Sequence, residues 1–383
     1  MKKMTWSEVC ARRLIRHGLA EPVPSHQLAK QVGVICGAHA QIMTAAELSI
    51  GLRTADTTRS DVQKALWTDR TVVKTYGPRG TVHLLYAEDL PMWTGALMAI
   101  PPIRNPNAKD AVLTPEQTDI VVEAIGDILS DTELTIDELT EALVDQVGEW
   151  AGELAMDAFQ DKWPRWRAAT DTAARHGMLC FGPDRGRKVT YTNPHRWLPG
   201  FRPKKERSAL SDLLKAYLYA YGPATPQQCA RWLSTSPRWA KDLFESLKDE
   251  LEMVELDGDT AWIIAGDTDL PDDPPKGLRL LPYFDVYGVG SYPREKLFPG
   301  KASERALAGG QAGNYPILLI DGVVGGVWHQ KRSGKKLKIT VEPLKDLTTS
   351  QRRALDDEVQ RVGVIQEAVP EMTIGKITVG PHA

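Results

Sequence analysis

A plan of short helices followed by two strands and a tight turn occurs three times along the chain, and it constrains the fold most strongly. The third copy is the clearest: a helix over 208–221 precedes a capping box at Thr225–Gln228, which opens a helix ending at Leu233. A further helix begins at Ser236, and two strands then flank the turn Asp257-Gly258. Helices followed by a β-hairpin are typical of a winged helix, whose recognition helix can enter the major groove of DNA.

The other two copies keep the same order with weaker signals. The second runs over about 134–191, with a capping box at Thr135–Glu138 and a hairpin around the basic turn 183–187. The first begins with the capping box Thr5–Glu8 and closes with strands on either side of Gly77–Gly80. Winged helices can also serve only in protein interactions, so the pattern predicts a fold before it predicts a function.

The character of the sequence changes after Pro271–Pro275, which is predicted to be a linker. Short apolar or alternating runs, the hairpin turn Asp321-Gly322, a helix from Thr349 to about Gln360 and a last strand near 372–379 follow. The predicted fold class is α+β, with three tandem winged-helix units followed by a C-terminal β-barrel-like domain. The expected boundaries are 1–100 for the first winged helix, 101–200 for an acidic helical segment and the second, 201–270 for the third, and 276–383 for the C-terminal domain.

Charge is distributed unevenly along the chain, although the net charge is only −3. Residues 110–161 hold 15 Asp and Glu side chains and no Lys or Arg, which leaves 47 basic against 35 acidic side chains elsewhere. The basic residues cluster at 185–188, 202–207 and 331–338. Such a chain can bind a polyanion on one side, although an ordinary solvated surface would show a similar distribution.

Several classes of protein are disfavoured by what the sequence lacks. It has no apolar run of about 18 residues, and its start leads directly into a polar helix, so neither a membrane span nor a secretory leader is expected. Phosphate-loop, dinucleotide-binding and nucleophile-elbow motifs are missing, as is metal-ligand spacing of histidines. Four scattered cysteines fit a reducing cytoplasm: Cys10, Cys36, Cys180 and Cys229. We therefore expect a cytoplasmic protein without a metal or cofactor.

Four sequence pieces together resemble the AlkZ/YcaQ type of DNA glycosylase. They are Arg79–Leu84, Tyr221–Thr225, Leu280–Asp285 and Leu319–Trp328. Each piece alone is weakly specific, but they occur in the right order and span nearly the whole chain. The resemblance implies a protein built from winged helices that excises N-alkylated purines, including bulky adducts and interstrand crosslinks made by DNA-damaging natural products.

The resemblance also implies a catalytic motif early in the first winged helix. That family has Gln-x-Gln or Gln-x-Asp where this chain has His39-Ala40-Gln41. Gln41 matches the family pattern, whereas His39 departs from it, which bears on lesion preference more than on reaction type. An N7-alkylguanine or N3-alkyladenine is already cationic, so the enzyme needs only to stabilise the sugar and place one water. His39 can accept a proton from that water or position it, and Gln41 can hold it. Alternatively, His39 is a buried structural histidine.

Double-stranded DNA with alkylated bases is the expected partner of a monomeric, nucleoid-associated protein. Predicted DNA contacts come from the wings, from the start of a helix expected over 163–175 and from the basic stretch in the C-terminal domain. They are Arg79, Arg165, Arg167, Arg185, Arg187, Lys188, Lys335 and Lys336. A second set, Tyr283, Phe284 and Asp285, forms either a hydrophobic corner or the lining of the lesion cleft.

Two other classes of protein stay open at this point. A winged-helix transcription regulator would bind one DNA sequence and cut nothing, and an interaction scaffold would use the acidic segment 110–161. For a glycosylase, the sequence leaves open which lesion is the substrate and whether the enzyme serves general repair or self-resistance to a toxin.

Overall fold

The computed structural model describes residues 1–101, 112–157, 161–272 and 275–381. Its contacts divide the chain into two compact units. Unit 1 comprises Met1–Ala65, Leu214–Leu233 and Pro237–Ala383, and unit 2 comprises Leu66–Leu213 and Ser234–Ser236. Asp110, at the start of the acidic segment, and part of the expected linker Pro271–Pro275 lie outside the described residues. The four-domain division stays a prediction.

Helices and strands are interspersed along the described residues. The α-helices there are α1 (Trp6–Arg16), α2 (Leu28–Val34), α3 (Met43–Gly51), α4 (Arg59–Trp67), α5 (Leu90–Ala99), α6 (Pro115–Ile128), α7 (Ile136–Val147), α8 (Thr170–Arg175), α9 (Glu206–Tyr221), α10 (Pro226–Leu233), α11 (Pro237–Ser246), α12 (Val286–Gly290), α13 (Arg294–Leu297), α14 (Lys301–Ala306) and α15 (Thr349–Ile365). None of these helices is long and apolar enough to cross a membrane.

The strands form several small sheets and one larger sheet. They are β1 (Lys2–Met4), β2 (Ala38–His39), β3 (Val72–Tyr76), β4 (Val82–Tyr86), β5 (Glu133–Thr135), β6 (Leu154–Asp157), β7 (Lys162–Pro164), β8 (Cys180–Arg185), β9 (Lys188–Thr192), β10 (Leu251–Leu256), β11 (Asp259–Ile264), β12 (Leu278–Leu281), β13 (Ile317–Ile320), β14 (Val323–Ser333), β15 (Lys336–Pro343) and β16 (Val369–Ile374).

The predicted capping boxes and the three predicted hairpins are confirmed. Side-chain and backbone hydrogen bonds close the capping boxes at Thr5–Glu8, Thr135–Glu138 and Thr225–Gln228. The pairs β3–β4, β8–β9 and β10–β11 are antiparallel hairpins. Strand β1 adds to the last of them, in parallel with β10. Helices α1 to α3 belong to unit 1, whereas the β3–β4 hairpin belongs to unit 2.

One predicted helix start is wrong. The helix expected over 163–175 begins only at Thr170, because Lys162–Pro164 form β7 and a 3-10 turn follows. Pro164 explains this, since proline cannot donate a backbone hydrogen bond and restrains the preceding Trp163 to an extended conformation.

The C-terminal part of unit 1 is a five-stranded sheet in the order β12-β13-β14-β15-β16. Its pairs are antiparallel except β15–β16, which is parallel. Helix α15 contacts both edge strands, β12 and β16, so the predicted barrel-like domain is a sheet curled around a helix. Helix α15 continues five residues beyond its predicted end, because Val362 and Ile365 extend its buried stripe. Strand β16 starts earlier than predicted, at Val369.

The N-terminal helices of unit 1 share a hydrophobic core with this sheet. Leu14 of α1 and Leu48 of α3 are buried in the same cluster as Leu280, Val327 and Val359. Burial of apolar surface on this scale is the main stabilising contribution to such a unit. Helix α3, which follows the motif His39-Ala40-Gln41, therefore packs in the same core as the C-terminal sheet.

Unit 2 has its own core. Strands β5, β9 and β8 form a sheet in that order, and helices α6, α7 and α8 pack beside it. Trp166 is fully buried there, and its indole N–H donates to the hydroxyl of Thr140 at 2.9 Å. That hydrogen bond satisfies the polar atom of the buried ring.

Close packing between α3 and α15 yields a stability prediction. A methyl group at Gly51 would overlap with Cγ2 of Ile365 and lie 3.1 Å from its Cγ1. We expect Gly51→Ala to lower the free energy of unfolding by about 1–3 kcal/mol, as overpacking does in well-packed cores. Gly375→Ala is the matched control, because nothing lies within 4 Å of that position. Urea unfolding of both variants tests this, and equal stability of the two would contradict it.

Candidate active site

The chain turns sharply just before the His39 motif. Helix α2 ends with Cys36 at φ 60° and Gly37 at φ 89°, and the Gly37 N–H donates to the Val32 carbonyl at 2.8 Å. This left-handed ending closes the helix, and glycine adopts it at little cost. The short strand β2 follows at once, and α3 begins at Met43. The motif is thus held between two helix ends.

The two motif side chains differ in exposure. His39 retains 7% of its surface, Ala40 retains 3%, and Gln41 is exposed. The structure therefore confirms that His39 is largely buried, as its structural interpretation requires, while the amide of Gln41 is open to solvent. Burial alone does not decide between structural and catalytic roles.

The His39 imidazole packs on an aromatic ring from a distant part of the sequence. Its ring centroid lies 4.6 Å from that of Phe284, and the two planes are 25° apart, which is a stacked arrangement. Phe284 is half-buried and belongs to the loop between β12 and α12. Both residues could be singled out from the sequence, but their contact could not, because 245 positions separate them.

The next residue, Asp285, anchors that loop to α3. Its carboxylate accepts two hydrogen bonds from the Arg53 guanidinium, at 2.8 and 2.9 Å, and a third from the Ser49 hydroxyl at 2.7 Å. The backbone N–H of Tyr287 adds a fourth at 2.9 Å. The side chains of Arg53 and Asp285 are 0% and 1% exposed, so the ion pair is buried.

This environment decides the charge of Asp285. Burial alone would raise the pKa of its carboxyl group, but Arg53 and the hydrogen bonds from Ser49 and Tyr287 outweigh burial and lower the pKa below its ordinary value. Asp285 is therefore ionised at neutral pH. Being 3% exposed with both oxygens bonded, it is an anchor rather than the cleft lining that was one of its predicted roles. Tyr283 and Phe284 are half-buried.

Ser49 and Arg53 were missed by the sequence analysis. They lie four residues apart and so share one face of α3 and its continuation, and Arg53 donates to both the carbonyl and the hydroxyl of Ser49. The local signal is a charged residue, Arg53, shortly after the end of a largely buried helix. Its partner is 232 residues away and cannot be found from that signal.

Three of the six predicted DNA-contacting cations in unit 2 already have carboxylate partners. Arg185 pairs with Glu138 at 3.0 Å, Lys188 pairs with Asp137 at 2.7 Å, and Arg165 pairs with Glu153 at 2.5 Å. These partners belong to the acidic segment 110–161. The expected separation of an acidic face from the basic wing is therefore incomplete, because the second hairpin and α7 neutralise each other in part.

The remaining predicted cations differ in their surroundings. Arg167 lies over the ring of Trp163 at 3.7 Å, and Arg79 is half-buried at φ 64° in the turn between β3 and β4. Arg187, in the turn between β8 and β9, is exposed. In unit 1, Lys335 and Lys336 are exposed on the turn between β14 and β15, and Lys336 lies 3.5 Å from Glu371.

Among the described residues, no group of three or more His, Cys, Asp or Glu side chains could hold a metal ion. A cavity of about 660 Å³ in unit 1 is lined by 299–302, 320–321, 323–325 and 344–347, together with Gln351, and His39 and Gln41 are not part of its lining.

Comparison with known proteins identifies the family. A family model described as DNA glycosylase AlkZ-like matches residues 32–364. The chain belongs to the AlkZ-like DNA glycosylase family. It is 30% identical over 371 residues to the interstrand DNA cross-link repair glycosylase of Streptomyces sahachiroi. This alignment covers 94% of this chain and 96% of that protein. The solved structure of the Streptomyces sahachiroi DNA glycosylase AlkZ matches with a TM-score of 0.82 and 30% identity, over 97% of this chain and all of the other.

Family membership confirms the resemblance seen in the four sequence pieces. AlkZ-like proteins are DNA glycosylases, so this chain is an enzyme of DNA repair rather than a transcription regulator or an interaction scaffold. The match spans both units and includes the His39 motif, Arg53 and the Phe284 loop.

The buried ion pair of this AlkZ-like protein yields a second prediction. Replacing Asp285 by Asn leaves the Arg53 guanidinium buried without a counter-charge, so we expect the free energy of unfolding to fall by about 3–5 kcal/mol at pH 7. Because the folded pKa is lowered, the wild-type contribution is present above the unfolded value of about 3.9 and is lost as pH falls through the folded pKa. Urea unfolding between pH 7 and pH 3 should therefore show a smaller decrease in the free energy of unfolding for the variant than for the wild type.

The control for this measurement is Asp212→Asn, which breaks an exposed pair with Lys204. Exposed ion pairs contribute little, so this variant should unfold like the wild type. The anchoring role of Asp285 would be refuted by two variants of equal stability and equal pH dependence.

Proposed function

We propose that this protein is a monofunctional DNA glycosylase that hydrolyses the N-glycosidic bond of alkylated purines of the N7-alkylguanine or N3-alkyladenine type. Water activation at His39 and Gln41 is the proposed mechanism. The observation that carries the proposal is the position of His39-Ala40-Gln41, between the end of α2 and the start of α3, in a chain of the AlkZ-like family. There the imidazole is held by Phe284 and the amide faces solvent.

Hydrolysis of this N-glycosidic bond requires few catalytic groups. An alkylated purine of this type carries a positive charge, so it can leave without being protonated. What remains is to stabilise an oxocarbenium-like sugar and to bring one water molecule to its anomeric carbon. An imidazole and a side-chain amide can do both through positioning and dipole orientation. The product is an abasic site, and no lysine is required as a Schiff-base former.

The different exposures of the two side chains suggest different roles. Gln41 can meet the lesion sugar or hold the water through its carbonyl oxygen. His39, fixed by its stacking contact, accepts the proton of that water, a step that typically contributes about 10²–10⁴-fold.

DNA binding is proposed to use the helix-and-hairpin repeats as three winged helices. The hairpin turns carry cations at Arg79, Arg187 and Lys188, and the exposed turn of unit 1 adds Lys335 and Lys336. Contacts of this kind fix the register on the phosphates without reading the sequence, which suits an enzyme that recognises damage. We propose that it acts as a monomer on chromosomal DNA in the cytoplasm.

Bulky adducts and interstrand crosslinks are the proposed preferred lesions. The relative from Streptomyces sahachiroi is named for cross-link repair. A crosslinked base cannot be rotated freely into an enclosed pocket, as base-flipping glycosylases require. An exposed Gln41 beside a largely buried His39 suits a substrate that stays in the duplex. This lesion class fits both general repair and self-resistance to a DNA-alkylating toxin.

The proposed roles of His39 and Gln41 predict the effects of two substitutions. His39→Ala and Gln41→Ala should each lower single-turnover excision of N7-methylguanine from a duplex by about 10²-fold or more, because each removes a group that positions or activates the water. The affinity for the same duplex should stay within about twofold. Hot alkali converts the abasic sites to strand breaks, which are counted on a gel.

Thr44→Ala is the control variant for these measurements, because Thr44 is exposed at the start of α3 and lies outside the motif. Equal loss of DNA affinity and of excision in both motif variants would show a docking or folding role and refute the proposed mechanism. A panel of duplexes with methyl, bulky and crosslinked adducts measures the lesion preference separately.

DNA binding through the second hairpin predicts a change in salt dependence. Arg187→Ala should weaken binding to all duplexes alike and reduce the slope of log affinity against log salt by about 0.9, the value for one lost phosphate contact. Lys248→Ala is the control, because that exposed lysine is paired with Glu245 within its own turn. An unchanged slope for Arg187→Ala would remove this hairpin from the proposed DNA interface.

A further inference from the structure

We propose that Phe284 is a positioning residue of the glycosylase reaction, whose ring fixes the plane of the His39 imidazole. The inference rests on the proposed catalytic role of His39. Phe284 need not touch DNA or water to act in this way. It acts through His39 alone, and this separates it from a residue that lines a lesion pocket.

The first support is the geometry of the two rings. They are stacked at 4.6 Å with planes 25° apart, so the flat face of the imidazole is covered by the phenyl ring. Both imidazole nitrogens bond in the plane of the ring, which stacking does not occupy. Contact on the face therefore restrains rotation of the imidazole without occupying either of its nitrogens.

The second support is the backbone of Phe284. Its φ is 55°, a left-handed conformation that is rare for a bulky residue and costs free energy. The conformation is held by the Phe284 N–H, which donates to the Gly313 carbonyl at 3.0 Å. Gly313, at φ 102°, could not carry a side chain, since a Cβ there would lie 2.9 Å from Cδ1 of Phe284. The strained loop thus seats the ring between the Gly313 backbone and the imidazole.

The third support is the anchor beside it. Asp285 ties the loop to Ser49 and Arg53 by short, buried hydrogen bonds. Ser49 belongs to α3, which begins two residues after Gln41. The ring and the motif are therefore fixed to the same element, and the loop cannot move away from His39 without breaking a buried ion pair. Such support from surrounding residues is what keeps a catalytic group in its productive orientation.

The variant Phe284→Leu tests the inference. Leucine keeps apolar bulk and is no more strained than phenylalanine at this φ, but it has no flat face. We expect single-turnover excision of N7-methylguanine to fall about tenfold, since misplacing a catalytic group by 1 Å can cost roughly 10²-fold. The affinity for the duplex should stay within about twofold. Phe284→Tyr, which keeps the aromatic ring, should retain most of the wild-type excision rate.

A double-mutant cycle with His39→Ala separates positioning from packing. If Phe284 acts through His39, then Phe284→Leu should cost less than about twofold in a protein that already carries His39→Ala. Tyr315→Leu is the matched control, because it removes another half-buried ring of unit 1 that packs against its core and contacts Arg305. That variant should leave excision within about twofold of the wild type.

The possible outcomes are distinguishable. If His39→Ala itself excises at the wild-type rate, the proposed function fails and the inference fails with it. If His39→Ala is impaired but Phe284→Leu is not, or if the two effects multiply in the double variant, only the inference is overturned. Thermal melting checks folding, and Phe284→Met, which is flexible and of similar volume, replaces the leucine variant should that one not fold.

Discussion

The Arg53 guanidinium and the Asp285 carboxylate meet inside unit 1, almost fully shielded from solvent. Burying two charges costs several kcal/mol per ion, and good geometry must offset it. Two parallel hydrogen bonds, the Ser49 hydroxyl and the Tyr287 N–H supply that geometry. The pair joins α3 to the loop before α12, and both the shape of that loop and the orientation of Phe284 depend on it. A mainly apolar contact would allow the loop to shift along α3, whereas two hydrogen bonds from one guanidinium fix a single position of the loop.

Local features of the fold could be predicted from the sequence because each depends on neighbouring residues. Thr225-Pro226 marked the start of α10, and Asp257-Gly258 marked the turn of the β10–β11 hairpin. Trp163 was misassigned to a helix because the apolar pattern suggested one, although Pro164 already argued against it. The contacts of His39 with Phe284 and of Arg53 with Asp285 join residues more than 200 positions apart, and no local pattern encodes them.

Charge along the chain was a poorer guide to surface potential than hydrophobic pattern was to secondary structure. The charge distribution suggested one acidic face and separate basic loops that can bind a polyanion, yet Asp137 and Glu138 of α7 pair with Lys188 and Arg185. Exposed pairs of this kind are weak and screened by salt. A phosphate can therefore compete with the carboxylate for the same cation.

On the proposed mechanism, the departing base supplies the reactivity and the protein supplies geometry. An amide at position 39 would need hydrogen bonds to hold its orientation, and each of these would occupy an atom required for the water. An imidazole has an additional means of restraint, because its face can be held by stacking while its nitrogens stay in the plane of the reaction. Phe284 covers that face, and its strained backbone is held by Gly313 and Asp285. Phe284 thus orients the ring at position 39 without using the polar atoms of that ring.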